Sequence, residues 1–286
     1  MTIVKDIERL PESVRCSADG MQSKFYNPEN NYWYKQDYLG TEGLSEYVAS
    51  LLLDNSNIEH VDYYPCQFLN NKKLVVGCCS ENFLQPGERL ISTYELIKNH
   101  KGIDIADEIV HMDVSDRIKF FVDAVVDITN LSDFGMYLTK MLQLDAVTKN
   151  DDRHFNNISV IQKEDGTYRF APIYDNGGAF LSDQYTYGEN LTNEDIYKEM
   201  DGVSAKPFSM DFDTQLDECE SLYPARLTLN KQIAMDREML LCFYSESDIH
   251  KVEEIVRQSQ RKYSYLFVQP DKVIENNSND SNVQEK

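Results

Sequence analysis

The stretch that decides the fold begins with NDDRHFNN, residues 150–157, and closes with YDNG, residues 174–177. Apolar residues at helical spacing precede it over residues 134–147, and the polar run ends that pattern. Between the two motifs, short β-prone runs flank Asp165-Gly166, a dipeptide typical of tight hairpins. The sequence therefore predicts a helix, a polar loop and a hairpin that returns the chain to the edge where the loop began.

Carboxylate and amide side chains recur in this stretch. Asp152 and Asn157 lie five residues apart on the predicted loop, and Asp175 follows the hairpin. Phosphoryl transfer needs a carboxylate that orients the attacking hydroxyl, together with oxygen ligands for Mg²⁺, and protein kinases carry base and amide at this spacing. Because Asp and Asn are also common in turns, the spacing alone leaves an ordinary surface loop open as the alternative.

The residues before this stretch predict a small lobe of strands and one helix. Residues 32–35 are aromatic and strand-like, and from Leu44 onward the apolar residues follow the stripe of an amphipathic helix. Residues 58–68 and 72–79 are typical of two strands, with Asn70-Asn71 as the turn between them.

The residues after Pro86 predict a larger helical lobe. Helical spacing of apolar residues covers 118–128, 134–147, 228–243 and 247–267. We therefore expect an α+β protein with an N-terminal lobe over 1–84 and a helical lobe over 85–270. We expect residues 271–286 to form a disordered tail, because residues 276–286 contain one apolar residue.

The net charge of the chain disfavours several classes of partner. The chain has 28 basic and 49 acidic residues, a net charge of −21, which disfavours non-specific binding to nucleic acid or to an anionic membrane. Its six cysteines form no C-x-x-C pair, and the first ten residues carry no apolar signal segment. We expect a reduced cytoplasmic protein, with export without a signal peptide left open.

Five features resemble, in the same order, those of the HipA-like serine/threonine kinases. SADGMQSK at 17–24 is similar to the family's phosphate loop, Lys35 follows it in a strand, and SEY at 45–47 opens a helix. DRHFNN at 152–157 and APIYDNG at 171–177 are similar to the family's D-R-H-x-x-N and P-i-[YF]-D-x-G signatures. The resemblance implies a two-lobed protein-kinase-like fold, nearest to short members that lack an extra N-terminal subdomain.

The resemblance also implies roles for single residues. Asp152 is expected to be the catalytic base, and Asn157 and Asp175 are expected to hold Mg²⁺. Lys35 is expected to contact the ATP phosphates and to be held by Glu46, with Glu42 on the same helix as the alternative. The ATP-binding residues expected in all are Ser17, Gly20, Gln22, Lys24, Lys35, Ser80, Glu81 and Phe83. Ser17 resembles a serine that members of the family autophosphorylate.

A second set of motifs imitates a eukaryotic kinase. Asp133-Phe134-Gly135 spells D-F-G, and His111-Met112-Asp113 stands upstream like H-R-D. The position five after Asp113 is Ile118, which cannot bind a metal, and its surroundings are helical. We therefore predict that Asp133 caps a helix and takes no part in catalysis.

The sequence leaves competing functions open. The favoured function is an ATP- and magnesium-dependent kinase that acts on a protein serine or threonine. The alternatives are a lipid or small-molecule kinase, since D-R-H-x-x-N also occurs in phosphatidylinositol kinases, and a pseudokinase that binds nucleotide without turnover. An antitoxin-like protein that silences the enzyme is a further candidate partner.

Overall fold

A computed structural model describes residues 8–9, 22–70 and 72–268 of the chain. Its strands are Glu8–Arg9 (β1), Lys24–Asn27 (β2), Tyr32–Gln36 (β3), Tyr64–Asn70 (β4), Lys73–Glu81 (β5), Arg89–Ser92 (β6), Ser159–Gln162 (β7), Tyr168–Phe170 (β8), Leu229–Asn230 (β9) and Phe267–Val268 (β10). Its α-helices are Glu42–Leu53 (α1), Thr93–Lys101 (α2), Ile105–Ile109 (α3), Val114–Thr129 (α4), Phe134–Thr148 (α5), Gln184–Tyr187 (α6), Asn193–Gly202 (α7), Phe212–Leu222 (α8), Arg237–Leu240 (α9) and Glu246–Lys262 (α10).

The N-terminal lobe is built on a five-stranded sheet. Its strand order is β1-β4-β5-β3-β2, antiparallel except where β1 runs parallel to β4. Helix α1 packs against β4 and β5 through the predicted apolar stripe, in which Leu44, Val48 and Leu52 are fully buried. The predicted first strand is too long, because residues 58–63 are irregular and only Tyr64–Asn70 joins the ladder.

The predicted hairpin is present and belongs to a second sheet. Strands β7 and β8 are antiparallel around Gly166, whose φ of +83° is a backbone conformation that glycine tolerates. Strand β6, which the sequence analysis did not predict, pairs with β7 and gives the order β6-β7-β8. This small sheet carries the segments on both sides of the hairpin to the lobe interface.

Helices form the bulk of the C-terminal lobe, as expected. Helices α4 and α5 match the predicted segments within a few residues, and α10 covers most of the last one. The helix predicted over 228–243 is wrong. Leu229 lies in a strand that pairs with Phe267, and the segment is helical only at Arg237–Leu240. The pairing of β9 with β10 outweighs the helical spacing of the apolar residues in this segment.

The architecture confirms the predicted α+β fold class. A small sheet-based lobe with helix α1 stands beside a larger lobe that is mainly helical. Within the described part of the chain, no helix is both long and apolar enough to cross a bilayer.

Candidate active site

Two lysines from neighbouring strands converge on the carboxylate of Asp175. Lys24 and Lys35 are direct partners in the β2–β3 ladder, so both side chains leave the same face of the sheet. Lys35 Nζ lies 2.7 Å from Asp175 Oδ1, and Lys24 Nζ lies 3.1 Å from Oδ2. Burial alone would raise the pKa of Asp175, but the two lysines outweigh burial and hold it well below its usual range.

Lys35 also forms the predicted ion pair with Glu46 of α1, whose side chain is fully buried. Burial alone would lower the pKa of Lys35, but the carboxylates of Asp175 and Glu46 outweigh it and hold that pKa well above its ordinary value. The second oxygen of Glu46 accepts a 2.8 Å hydrogen bond from the backbone N–H of Asn176. One helix residue therefore fixes both the lysine and the segment that carries Asp175.

Glu42, the alternative partner for Lys35, has a different function. Its carboxylate accepts hydrogen bonds from the backbone N–H groups of Tyr38, Leu39 and Gly40, at 2.7–3.1 Å. Glu42 thereby closes the turn between β3 and α1, so this alternative is wrong.

The loop after α5 carries Asp152 and Asn157, and Asn157 lines the same cavity as Asp175, whereas Asp152 is not among its lining residues. Asn157 Nδ2 donates a 3.0 Å hydrogen bond to the backbone oxygen of Asp152, which closes the five-residue loop. The Asp152 side chain is half exposed and lies 3.7 Å from Lys206. Asn157 Oδ1 has no hydrogen-bond partner within the described residues and is free to act as a ligand.

Arg153 links this loop to α5 and to the segment after the hairpin. Its guanidinium is fully buried, forms two 2.9 Å hydrogen bonds to Asp145 of α5, and donates to Tyr174 O and Asn176 Oδ1. Burial alone would lower the pKa of Arg153, but Asp145 outweighs it and keeps the guanidinium charged. Asp145, eight residues before Arg153, was not among the residues expected from the sequence.

The backbone near Asp175 is constrained. Asp175 itself has a φ of +60°, a left-handed conformation that costs energy in a residue with a Cβ and is typical of functional sites. A Cβ on Gly178 would lie 2.6 Å from Asp152 Cβ, so glycine is needed where the exit segment passes the loop. The exit segment therefore passes close to the loop at Gly178, and the side chain that it meets there is Asp152.

A cleft of about 480 Å³ opens in front of these groups. Its lining residues are Lys24, Trp33, Lys35, Tyr63, Ser80, Asn82, Phe83, Leu84, Leu90, Ser92, Glu95, Asn156, Asn157, Ser159, Tyr174 and Asp175. The lining combines charged and amide groups with aromatic and aliphatic side chains. The rings of Phe83 and Tyr174 are 5.8 Å apart, an apolar wall suited to a flat heterocycle.

Most of the residues expected to bind the nucleotide lie in the described part of the chain. Lys24, Ser80 and Phe83 line the cleft, whereas Glu81 is exposed and does not. Gln22 Nε2 is shielded from solvent and has no hydrogen-bond partner in the described chain. Ser17 and Gly20 lie outside the described residues.

Asp133 lies away from this cleft. It occupies the N-terminal cap position of α5, as predicted, but its side chain makes no capping hydrogen bond, so that part of the prediction is wrong. Together with Met136, Lys140 and Arg226 it lines a separate surface groove. Ile118, five residues after Asp113, is fully buried in the core.

The donor set fits the groups that a kinase requires. Asp175 and Asn157 offer carboxylate and amide oxygens, which are the ligands that Mg²⁺ prefers. Both oxygens of Asp175 already contact cations, and its carboxylate is kept ionised. The lysines supply local positive charge for a polyphosphate in a chain whose net charge is −21.

The fold is that of a two-lobed, kinase-like domain. No protein-family model matches the sequence, and no curated protein does. The structure is similar to the crystal structure of the Helicobacter pylori proinflammatory kinase CtkA, with a TM-score of 0.57 and 15% sequence identity over 90% of this chain and 92% of that chain. The predicted likeness to HipA-like kinases is therefore confirmed at the level of the fold.

A second similar structure is the HipA protein of Shewanella oneidensis MR-1, solved with HipB and its operator DNA as a toxin–antitoxin system. The TM-score is 0.41, with 14% sequence identity over 88% of this chain and 66% of that chain.

Proposed function

We propose that the chain is an ATP- and magnesium-dependent protein kinase that transfers the γ-phosphate to a serine or threonine hydroxyl. The observation that carries the proposal is the joint placement of Lys35, Glu46 and Asp175, in which a buried ion pair and a metal-type carboxylate meet at one end of a cleft. Protein kinases use the same combination of a strand lysine, a helix glutamate and an aspartate for metal.

Each residue then has a role in the step. Asp152 orients the substrate hydroxyl and accepts its proton, and Lys35 contacts the α- and β-phosphates. When bound by Asp175 and Asn157, Mg²⁺ neutralises the charge on the transferring phosphate. The neighbourhood of Phe83 and Tyr174 receives the adenine ring.

A protein substrate is favoured by the position of Asp152. Its side chain is half exposed, so a large partner can reach it. The low number of basic residues disfavours an anionic membrane as the substrate surface. Cytoplasmic location, autophosphorylation near residue 17 and control by an antitoxin-like partner are further proposals that rest on the sequence alone.

A radiolabelled ATP assay on the purified chain tests the proposal. Transfer of γ-phosphate to protein, abolished in Asp152→Ala, is the expected result. Parallel reactions contain phosphatidylinositol vesicles and small alcohols, and label in those products alone supports a lipid or small-molecule kinase. Nucleotide binding without any labelled product identifies a pseudokinase.

A further inference from the structure

A lysine that the sequence motifs do not include lies beside the proposed base. Lys206 belongs to the connection between α7 and α8, 54 residues after Asp152, and its Nζ is 3.7 Å from Asp152 Oδ1. Both side chains are about half exposed. Because an exposed ion pair contributes little to stability, the relevant question is how the lysine affects the carboxylate beside it.

The backbone that carries Lys206 is fixed. Its carbonyl accepts a 3.1 Å hydrogen bond from Gln215 Nε2, and the amide oxygen of the same Gln215 accepts from Phe208 N at 2.9 Å. Arg117 Nη1 donates to Phe208 O at 2.9 Å. Because Gln215 is 1% exposed, these bonds are shielded from water and hold the connection in one conformation.

The same connection is packed directly on the catalytic loop. Phe208 is fully buried, and its ring lies 5.7 Å from the ring of Phe155, three residues after Asp152. Phe121 of α4 contacts both rings, at 5.0 Å from Phe155 and 5.3 Å from Phe208. The loop and the connection are therefore packed against each other, which holds the backbone of Lys206 near the loop that carries Asp152.

Lys206 lies beside two consecutive carboxylates. Asp151 and Asp152 are consecutive carboxylates, and a triphosphate that enters the cleft brings more negative charge. Burial raises the pKa of Asp151; its hydrogen bond from Tyr187 and the charge of Lys206 oppose the rise, whereas Asp152 adds to it. Lys206 is the ammonium group that offsets this pair within the described chain.

We infer that Lys206 is a positioning residue for phosphoryl transfer: it orients the Asp152 carboxylate and offsets its charge while the substrate hydroxyl attacks. This inference rests on the proposed function. In the step, the hydroxyl proton passes to an Asp152 oxygen and the freed oxygen bonds to the γ-phosphorus. The bond from the γ-phosphorus to the β–γ bridging oxygen breaks, and its electron pair leaves with ADP.

The test compares three variants with the parent enzyme. Lys206→Met removes the charge, Lys206→Arg keeps it, and Lys198→Met on α7 is the matched control, since Lys198 is exposed and 3.9 Å from Glu199. We expect Lys206→Met to lower kcat about 10- to 100-fold, the scale of a small misplacement of a catalytic group. KM for ATP, the Kd of a fluorescent ATP analogue and Tm stay unchanged, Lys206→Arg restores most of kcat, and Lys198→Met equals the parent.

A double variant separates this inference from the proposed function. Asp152→Ala with Lys206→Met should be no slower than Asp152→Ala alone, because the lysine acts through the carboxylate. If Lys206→Met has parental kcat while Asp152→Ala is inactive, the inference is wrong and the proposed function stands. A change confined to KM for the protein substrate also overturns it, since Lys206 then binds substrate instead. Full activity of Asp152→Ala, or none in the parent, overturns both.

Discussion

Arg153 and Asp145 form an ion pair in which neither side chain is exposed to solvent. The pair joins the end of α5 to the loop that carries Asp152, and the guanidinium continues to the backbone of Tyr174. A buried pair is held at a high desolvation cost, so removal of one partner leaves an uncompensated charge. Arg153 thus links the loop that carries Asp152 to the segment that carries Asp175.

Loss of this pair should destabilise the protein strongly. We expect Arg153→Ala or Asp145→Ala to lower the free energy of unfolding by about 3–5 kcal/mol, measured by urea denaturation. The matched control is Lys119→Ala, which removes an exposed partner of Asp123 and should change stability little. Equal stability of the Arg153 and Lys119 variants contradicts the prediction.

Removal of the proposed metal carboxylate should abolish activity without unfolding the chain. We predict that Asp175→Ala and Asp152→Ala each reduce phosphotransfer by at least about 10³-fold, since either change disrupts the metal or the nucleophile. Asp133→Ala, in the D-F-G sequence at 133–135, should keep most of the activity. Circular dichroism checks the fold of all three. An essential Asp133 together with a dispensable Asp175 means that the site is wrongly placed.

The Lys35–Glu46 pair should control nucleotide affinity. We expect Lys35→Met to eliminate detectable binding of a fluorescent ATP analogue, because the phosphates lose their buried cation. Glu46→Gln should weaken binding less, since Asp175 still holds Lys35 at 2.7 Å. Glu42→Gln serves as the control on the same helix and should leave the Kd unchanged once its fold is verified. Parental affinity in Lys35→Met rules out this role for the lysine.

Asp37 should make stability depend on pH. Burial and the neighbouring carboxylate of Glu42 raise the pKa of Asp37 to about 7. An unfolded aspartate ionises near pH 4, so between about pH 4 and 7 the folded state alone keeps this proton, and rising pH lowers the contribution of Asp37 to stability. Asp37→Asn should therefore gain Tm relative to the parent from pH 5 to 7, with a constant difference above about pH 8. The exposed Asp217→Asn on α8 should show no such trend.

Ser17 is predicted to be a regulatory phosphorylation site. A phosphate adds about −1.5 to −2 charges, which would repel ATP from the predicted phosphate loop. Incubation with Mg-ATP followed by mass spectrometry should find phosphate on Ser17, and Ser17→Asp should bind ATP more weakly than Ser17→Ala. No phosphate on Ser13, Ser17 or Ser23 ends the first part of the prediction, and equal affinities end the second.

The sequence by itself determined the local elements and the order of the motifs. Helix α1, helix α5 and the Asp165-Gly166 hairpin followed from periodicity and turn chemistry, which act over a few residues. The Lys35–Glu46 contact was expected from the resemblance to HipA-like kinases, and the strand and helix that carry it are adjacent in the chain. The motif at 152–157 and Asp175 identified one edge of the site, since the hairpin between them returns the chain to it.

Only the tertiary structure decided how distant groups meet. The helix predicted over 228–243 gave way to a strand because Leu229 pairs with Phe267, a partner that no local pattern reveals. Lys24 reaches Asp175 across 151 residues, and Lys206 reaches Asp152 because Phe208 packs against Phe155. Local propensity fixes backbone conformation over a few residues, whereas these contacts are set by the packing of whole elements. Such charge pairs between distant residues therefore appear only in the folded chain.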